Sequence, residues 1–172
     1  MVAHSFWRTS SLITPYGSRL YLQLERIRQS GKLAALPRGM LMKMYAKSVM
    51  VDDQTKALAF YTEKLGFIVK HNIPMGEHSW ITLVSPEEPD GVELLLEPNA
   101  HPAGRTFQDA MKQDNIPFTA FSVENLNNEV DRLKSLGVTI TQPPTNVGSA
   151  SIAAFDDTCG NLIQLIEFHA EA

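Results

Sequence analysis

One order of strand and helix signals occurs twice along the chain, and this repeat constrains the fold more than any other feature. Each copy predicts a strand, a capped helix ending at a glycine, a short strand and then a hairpin. The copies occupy residues 44–99 and 117–169. The connector between them, at 100–116, contains Pro102 and a short helical stretch at 106–112. Each copy is a βαβββ module of roughly fifty residues, too small to bury its helix and sheet alone.

Local signals place the elements within each module. In module one (44–99), Asp52 and Asp53 are candidate caps of a helix that ends at Gly66; in module two (117–169), Asn125 and Gly137 take these places. The strands of module one are predicted at 45–51, 67–70, 79–85 and 92–97, and those of module two at 118–123, 138–141, 151–155 and 161–168. The close match in layout indicates that the modules pack against each other.

Paired modules predict an α+β fold, with a curved mixed sheet around a central cavity, called the hollow below. Side chains alternate along a strand, so those that do not face the helices are expected to line the hollow. These are Ser48, Met50, Trp80, Thr82, Glu93, Phe118, Ser122 and Gln164. Their mixture of apolar and polar groups suits a small organic ligand. Alternation also allows a simpler interpretation, in which they are outer-face residues and Glu93 is solvated.

Charge changes sharply after Lys43. Residues 1–43 hold seven basic side chains and one acidic side chain, a net charge of +6, whereas the remaining residues hold eight basic and eighteen acidic side chains, a net charge of -10. An acidic body repels phosphate backbones, and the basic segment lacks the motif of a nucleic-acid reader, so DNA or RNA is not the expected partner. The single domain is therefore expected at residues 44–169.

The basic segment at residues 1–43 allows several interpretations. Its arginine- and serine-rich composition is similar to that of an organelle transit peptide. A disordered arm, a helix formed by residues 18–29 that docks on the body, and a wrongly assigned start codon are the alternatives. The mass of the intact native protein distinguishes them, because a mass beginning at Met1 excludes both a cleaved peptide and a wrong start.

Cysteine content and hydropathy limit the compartment. Cys159 is the only cysteine, which excludes an internal disulfide and a cysteine-based zinc site and fits a reducing compartment. A turn residue is the expected role of Cys159, rather than a nucleophile. No apolar run approaches the ~20 residues that span a bilayer. We therefore expect a cytoplasmic protein with no membrane partner.

Three segments in register resemble the vicinal oxygen chelate superfamily, which includes glyoxalases, bleomycin resistance proteins and extradiol dioxygenases. They are 51–67, which is VDDQTKALAFYTEKLGF, 92–99, which is VELLLEPN, and 155–165, which is FDDTCGNLIQL. The resemblance covers residues 44–169 and implies the glyoxalase-like fold of two βαβββ modules. It also implies a homodimer, as in drug-binding members of the superfamily.

Enzymes of the superfamily hold a divalent metal through four positions, and the resemblance places these at Ala46, Glu93, Phe118 and Gln164. Glu93 is a strong ligand and Gln164 a weak one, whereas Ala46 and Phe118 offer no donor. A catalytic site normally needs about three protein ligands. We therefore expect no metal or other cofactor. A metal site would need His78, which is predicted on the same strand face as Trp80, as a second ligand beside Glu93.

Two functional hypotheses follow from the resemblance. In the first, the hollow binds a small molecule without a metal: Glu93 pairs with a cationic or hydroxylated ligand, Trp80 and Phe118 pack against it, and polar groups orient it. In the second, the protein is a lyase, isomerase or dioxygenase-type enzyme in which Glu93 is the catalytic base or a metal ligand. Substitution of Glu93 by glutamine separates them, because only the second predicts loss of turnover with binding spared.

Overall fold

The computed structural model describes residues 42–169, and the βαβββ order occurs twice within them. Module one contains β1 (Ala46–Val51), α1 (Gln54–Ala59), a π-helical continuation of α1 (Phe60–Lys64), β2 (Ile68–Met75), β3 (His78–Val84) and β4 (Glu93–Pro98). The connector forms α2 (Pro102–Gln113). Module two contains β5 (Thr119–Ser122), α3 (Leu126–Ser135), β6 (Ile140–Asn146), β7 (Ala150–Asp156) and β8 (Leu162–Phe168). The expectations for residues 1–41 lie outside the described residues.

Each module forms its own four-stranded mixed sheet, in the order β1-β4-β3-β2 and β5-β8-β7-β6. The opening strand of each sheet runs parallel to the last strand, and the other pairs are antiparallel. Ala46 lies opposite Glu93 in the first sheet, and Ala120 lies opposite Gln164 in the second. The predicted α+β fold of two tandem modules is confirmed.

The predicted helix caps are also confirmed. The Asp53 carboxylate accepts hydrogen bonds from the backbone N–H groups of Thr55 and Lys56, and Asn125 accepts one from the N–H of Asn128. These side chains satisfy N–H groups that have no partner within the helix. Gly66 and Gly137 follow the two helices with φ of 79° and 78°, a left-handed conformation that favours glycine.

The helix-facing sides of both sheets belong to one hydrophobic core. It includes Val49, Leu83 and Leu96 from module one and Leu133 and Phe155 from module two, all with no exposed surface. Phe60 stacks on Phe155 with ring centroids 6.2 Å apart, so aromatic packing crosses from one module to the other. The modules therefore bury the surfaces that neither could bury alone.

A buried polar network joins both modules and the connector at the β7–β8 turn. Asp157 accepts hydrogen bonds from the Tyr61 hydroxyl (3.0 Å) and from the amide of Asn161 (2.6 Å). The amide groups of Asn161 and Gln108 each donate to the Met50 carbonyl on β1, at 2.8 and 2.9 Å. These bonds pin α2 and module two to the first strand of module one.

Several boundaries differ from the prediction. Strand β2 extends to Met75 instead of ending at residue 70, and β6 extends to Asn146 instead of ending at residue 141. Both are edge strands, where polar residues and prolines are tolerated and the hydrophobic pattern fades. Strand β4 begins at Glu93, one residue later than predicted, and Val92 is 46% exposed. Within residues 42–169, no helix is long and apolar enough to cross a membrane.

Candidate functional site

The face of the first sheet that points away from the helices is buried on its two central strands, β3 and β4, and we call this face the module-one hollow. On β4, Leu94 and Leu96 belong to the core, so Glu93 and Leu95 lie on the opposite face. On β3, Leu83 belongs to the core, which leaves the hollow to its two sequence neighbours, Thr82 and Val84. The exposed fractions are 0% for Thr82, 1% for Val84, 5% for Glu93 and 9% for Leu95.

Two polar atoms of the module-one hollow are buried without a partner. Within the described residues, neither Thr82 Oγ1 nor Glu93 Oε2 has a hydrogen-bond partner, and the Glu93 side chain is only 7% exposed. Buried polar atoms are nearly always hydrogen-bonded, because an unmade bond costs about 1–3 kcal/mol. Orphaned groups at one place in a fold therefore indicate that the site is completed by something the protein binds.

Two further residues border Glu93. His71 on β2 lies opposite Thr82, and its Nε2 atom is 3.7 Å from Glu93 Oε1. The His71 side chain is 40% exposed. Tyr45, just before β1, accepts a backbone hydrogen bond from the Glu93 N–H at 3.0 Å. Partial desolvation, then hydrogen bonding to the Glu93 side chain and the charge of its carboxylate, raise the pKa of the exposed Tyr45 phenol. The carboxylate is thus flanked by an imidazole and a phenol.

Sequence reasoning missed His71, because the strand that carries it was predicted to end at residue 70. With β2 at Ile68–Met75, His71 falls opposite Thr82, and its side chain reaches Glu93. Pairing of an antiparallel strand with Thr82 was the signal that could have identified His71. The bulge between Val69 and His71 hides this signal, because it shifts the alternation of side chains along β2. His78, the histidine that parity favoured, lies instead in a cleft of 430 Å³ beside Asp52 and Asp53.

The remaining predicted residues of module one lie around this centre. Ser48 and Met50 on β1 are half-buried, in contrast to the fully buried Val49 and Val51 that alternate with them, and Trp80 on β3 is also half-buried. The Met50 sulfur lies beside Gly104 of α2, where a Cβ on Gly104 would meet it at 3.1 Å. The connector helix therefore packs against the end of β1.

The predicted site residues of module two are more exposed to solvent than Thr82 and Glu93. Ser122 and Ala120 on β5 are exposed, and Gln164 on β8 is half-buried. Phe118 precedes β5 and packs against the common core and against Phe107 of α2, with ring centroids 6.1 Å apart. The structure thus places Thr82 and Glu93 on the same face of two paired strands in module one. Ser122 and Gln164 belong to a separate sheet, and Phe118 packs against α2.

The cleft between the modules is a distinct feature of 590 Å³. Phe67 and Phe121 line it, with ring centroids 5.2 Å apart, and Ser122 lies at its edge. Arg132 in this cleft is already bound by both carboxylate oxygens of Glu129, at 2.8 and 2.6 Å. The cleft holds none of the unpartnered buried atoms that mark the module-one hollow.

The donor set does not fit the divalent metal that the resemblance implies. Ala46, opposite Glu93, offers a methyl group, and Phe118 offers a ring. His71 and Glu93 together make two ligands, and residues 42–169 contain no cluster of three His, Cys, Asp or Glu side chains arranged to hold a metal ion. About three protein ligands are normal for a catalytic site.

Cys159 lies in the β7–β8 turn, with its sulfur buried between the modules. Burial, and then the neighbouring Asp157 carboxylate, raise the pKa of its thiol to about 12. A thiol with such a pKa stays protonated near neutrality and is a poor nucleophile. Cys159 therefore contributes to the packing of the hydrophobic core.

Comparisons with known proteins agree with this architecture. The model of the Glyoxalase/Bleomycin resistance protein/Dioxygenase superfamily matches residues 42–165. The protein YurT of Bacillus subtilis (strain 168) is 54% identical over 126 residues, which are 73% of this chain and 99% of YurT. The crystal structure of UcmS2 is 33% identical, with a TM-score of 0.65, and the match covers 74% of this chain and 99% of UcmS2. TnmS3, an antibiotic binding protein from Streptomyces sp. CB03234, shares the fold at 23% identity and a TM-score of 0.60, over 75% of this chain and 98% of TnmS3.

Proposed function

Because the chain belongs to the Glyoxalase/Bleomycin resistance protein/Dioxygenase superfamily, we propose that it binds a small organic molecule in the module-one hollow without a metal. The observation that carries this proposal is the pair of buried, unpartnered atoms, Thr82 Oγ1 and Glu93 Oε2. Such atoms destabilise the ligand-free protein, and a ligand that hydrogen-bonds to both relieves the cost. TnmS3, which shares this fold, is an antibiotic binding protein, and this supports ligand binding in the present chain.

The surroundings of these atoms favour an organic ligand over a bare ion. Leu95 and Val84 are buried on the same face as Thr82 and Glu93, and Met50 and Trp80 are half-buried nearby along their strands. Ligand sites typically combine such an apolar lining with a few polar groups that set orientation. Ser48, half-buried on β1 where it pairs with Leu95, is the further polar contact that we propose.

A thermal-shift screen of a diverse compound library, with and without a chelator, tests the proposal. We expect at least one compound to raise the unfolding temperature by the same amount in both conditions. A ligand that binds the folded chain and not the unfolded chain stabilises the folded state. Glu93→Ala should abolish this shift, and Ser135→Ala on the exposed side of α3 serves as the matched control. Shifts that persist in Glu93→Ala place the ligand elsewhere, and shifts that vanish with chelator contradict metal-free binding.

A second candidate function keeps Glu93 as a base that abstracts a proton next to a carbonyl group. The specific observation in its favour is the 3.7 Å separation of His71 Nε2 from Glu93 Oε1, which places a second proton-accepting group beside the carboxylate. Glu93→Gln keeps the shape but removes the base. Loss of turnover with an unchanged affinity supports this candidate, whereas loss of affinity supports binding alone.

A homodimer in the cytoplasm completes the proposal. The exposed Ala120 and Ser122 on the second sheet leave a surface of small side chains that a second copy could cover. The buried, protonated Cys159 is compatible with a reducing compartment. Light scattering after size-exclusion chromatography tests the assembly, because a dimer has twice the 19.1 kDa mass of one chain.

A further inference from the structure

We infer that the ligand of the module-one hollow carries a compact cationic head group, of the primary ammonium or amidinium class, seated between Glu93 Oε2 and Thr82 Oγ1. This inference rests on the proposed function and narrows it to one class of ligand. It depends on the hydrogen-bonding capacity of the two unpartnered atoms, on the charges around them and on the apolar surface beside them.

The hydrogen-bonding capacity of Glu93 and Thr82 decides what the ligand must offer. An ionised carboxylate has no hydrogen to give, so the group that satisfies Glu93 Oε2 must be a donor. Thr82 Oγ1 can accept a hydrogen bond or donate one. A ligand hydroxyl can therefore donate to Glu93 and accept from Thr82, whereas an ammonium has three hydrogens and can donate to both, so charge decides between the two groups. Hydrogen bonds with charge on both partners are also stronger than neutral ones.

The charges around Glu93 point the same way. Within residues 42–169, its one ion-pair partner within 4.0 Å is His71, at 3.7 Å and 40% exposed. Lys70, which precedes His71 on β2, donates a hydrogen bond to the Pro89 carbonyl (2.6 Å) and pairs with the Asp90 carboxylate (3.3 Å). A buried carboxylate without a full countercharge is costly. A cationic ligand supplies that charge, and an anionic ligand would add repulsion.

The rest of the ligand should be apolar and adjacent to the cation. Leu95 and Val84 are buried on the same face as Glu93, and Trp80 is half-buried two residues from Thr82 on β3. A hydrocarbon or aromatic substituent would cover this surface, and Trp80 could also stabilise the cation through its ring face. An aromatic primary amine has both parts.

Three probes with the same phenyl group and different heads test the inference: 2-phenylethylamine, 2-phenylethanol and phenylacetate. Isothermal titration or protein-observed NMR on the full chain gives each Kd. We expect the amine to bind about tenfold more tightly than the alcohol, which is the scale of one charge-assisted hydrogen bond, and phenylacetate to bind most weakly. Glu93→Gln should abolish the preference for the amine and leave the alcohol within about threefold of wild type.

Two further variants guard the interpretation. Thr82→Val removes one acceptor but keeps the carboxylate, so the amine should weaken while remaining preferred over the alcohol. Ser122→Ala on the second sheet should change neither affinity. The same unfolding temperature in the ligand-free variants and wild type, or a higher one, shows that losses are not due to misfolding.

The outcomes separate the inference from the proposed function. Equal or tighter binding of the alcohol, a preference for the amine that survives in Glu93→Gln, or no saturable binding of the amine overturns the cationic class. The proposed function itself fails if the compound screen yields no ligand whose binding depends on Glu93 or Thr82, or if that binding is lost with chelator. A neutral ligand that depends on Glu93 would thus reject the cation and keep the binding site.

Discussion

Modules one and two share the same order of strands and helices, but the faces that point away from their helices differ. In module one the central strands bury this face, which contains two unpartnered polar atoms, at Thr82 and Glu93. In module two the residues buried on this face of β7 and β8 are apolar, such as Ala154 and Leu162, whereas Ala120 and Ser122 on the edge strand are exposed. Module two instead contributes the Asp157 network that fixes the modules and the connector to each other.

The difference shows that a repeat dictates layout without dictating role. Each module needs its helix-facing residues for the common core, so those positions are constrained in both copies. The outward-facing positions carry no such constraint, and one module can retain costly polar groups there while the other does not. Costly groups that persist in a stable fold are expected at sites of function.

The largest effect should come from the core that the modules share. Leu96→Ala in module one and Leu133→Ala in module two each remove a side chain with no exposed surface, and each should lower the free energy of unfolding by about 2–5 kcal/mol. Calorimetry should show one transition in both variants. Separate transitions, or a loss confined to one module, would contradict a single core.

Glycine substitutions sharpen the comparison at the turns. Gly66→Ala and Gly137→Ala introduce a strained left-handed alanine into open space, for a cost of about 1 kcal/mol in each module. Gly160→Ala should cost about 2–4 kcal/mol, because its Cβ would lie 2.5 Å from the amide nitrogen of Gln108 and break the bonds of Gln108 to Met50 and Cys159. Equal losses at all three positions, measured by urea unfolding, would argue against the importance of the network.

Glu93→Leu should increase the stability of the ligand-free protein by about 1–2 kcal/mol, because it removes a buried carboxylate that lacks a full partner. Gln164→Leu in module two is the matched control, and it should change the free energy of unfolding by less than about 0.5 kcal/mol. Chemical denaturation measures both. A strong loss of stability in Glu93→Leu would show that the carboxylate serves the fold rather than a ligand.

A smaller effect concerns the pH dependence of module two. Burial raises the pKa of Asp157 above its ordinary value of 3.8, despite its hydrogen bonds to Asn161, Cys159 and Tyr61. The folded state therefore binds the proton more tightly than the unfolded chain does. The contribution of Asp157 to stability is full below pH 3.8 and is lost as pH rises through the folded pKa.

Asp157→Asn should therefore lack this decline. Its free energy of unfolding, measured by urea titration at a series of pH values just above 3.8, should fall less with rising pH than that of wild type. Parallel pH profiles for the two proteins would contradict the assignment. The β3–β4 turn of module one exposes Glu87, Glu88 and Asp90, so substitutions there should leave the profile unchanged.

The layout of the fold followed from the sequence because its signals are local. The caps at Asp53 and Asn125 and the glycines after both helices lie within a turn of the backbone groups that they serve. The burial of Glu93 did not follow from alternation, which assigns a face but not what covers it. His71 was missed because a bulge in an edge strand interrupts the period, and the Gln108 network joins residues far apart in sequence.

The central claim is that ligand recognition resides in module one, at Glu93 and Thr82. Calorimetric titration of one screened compound into wild type, Glu93→Gln and Gln164→Ala tests it most directly. The account predicts a loss of affinity of about tenfold or more in Glu93→Gln and of less than about twofold in Gln164→Ala. Unchanged affinity in Glu93→Gln with a marked loss in Gln164→Ala would contradict it and assign recognition to module two.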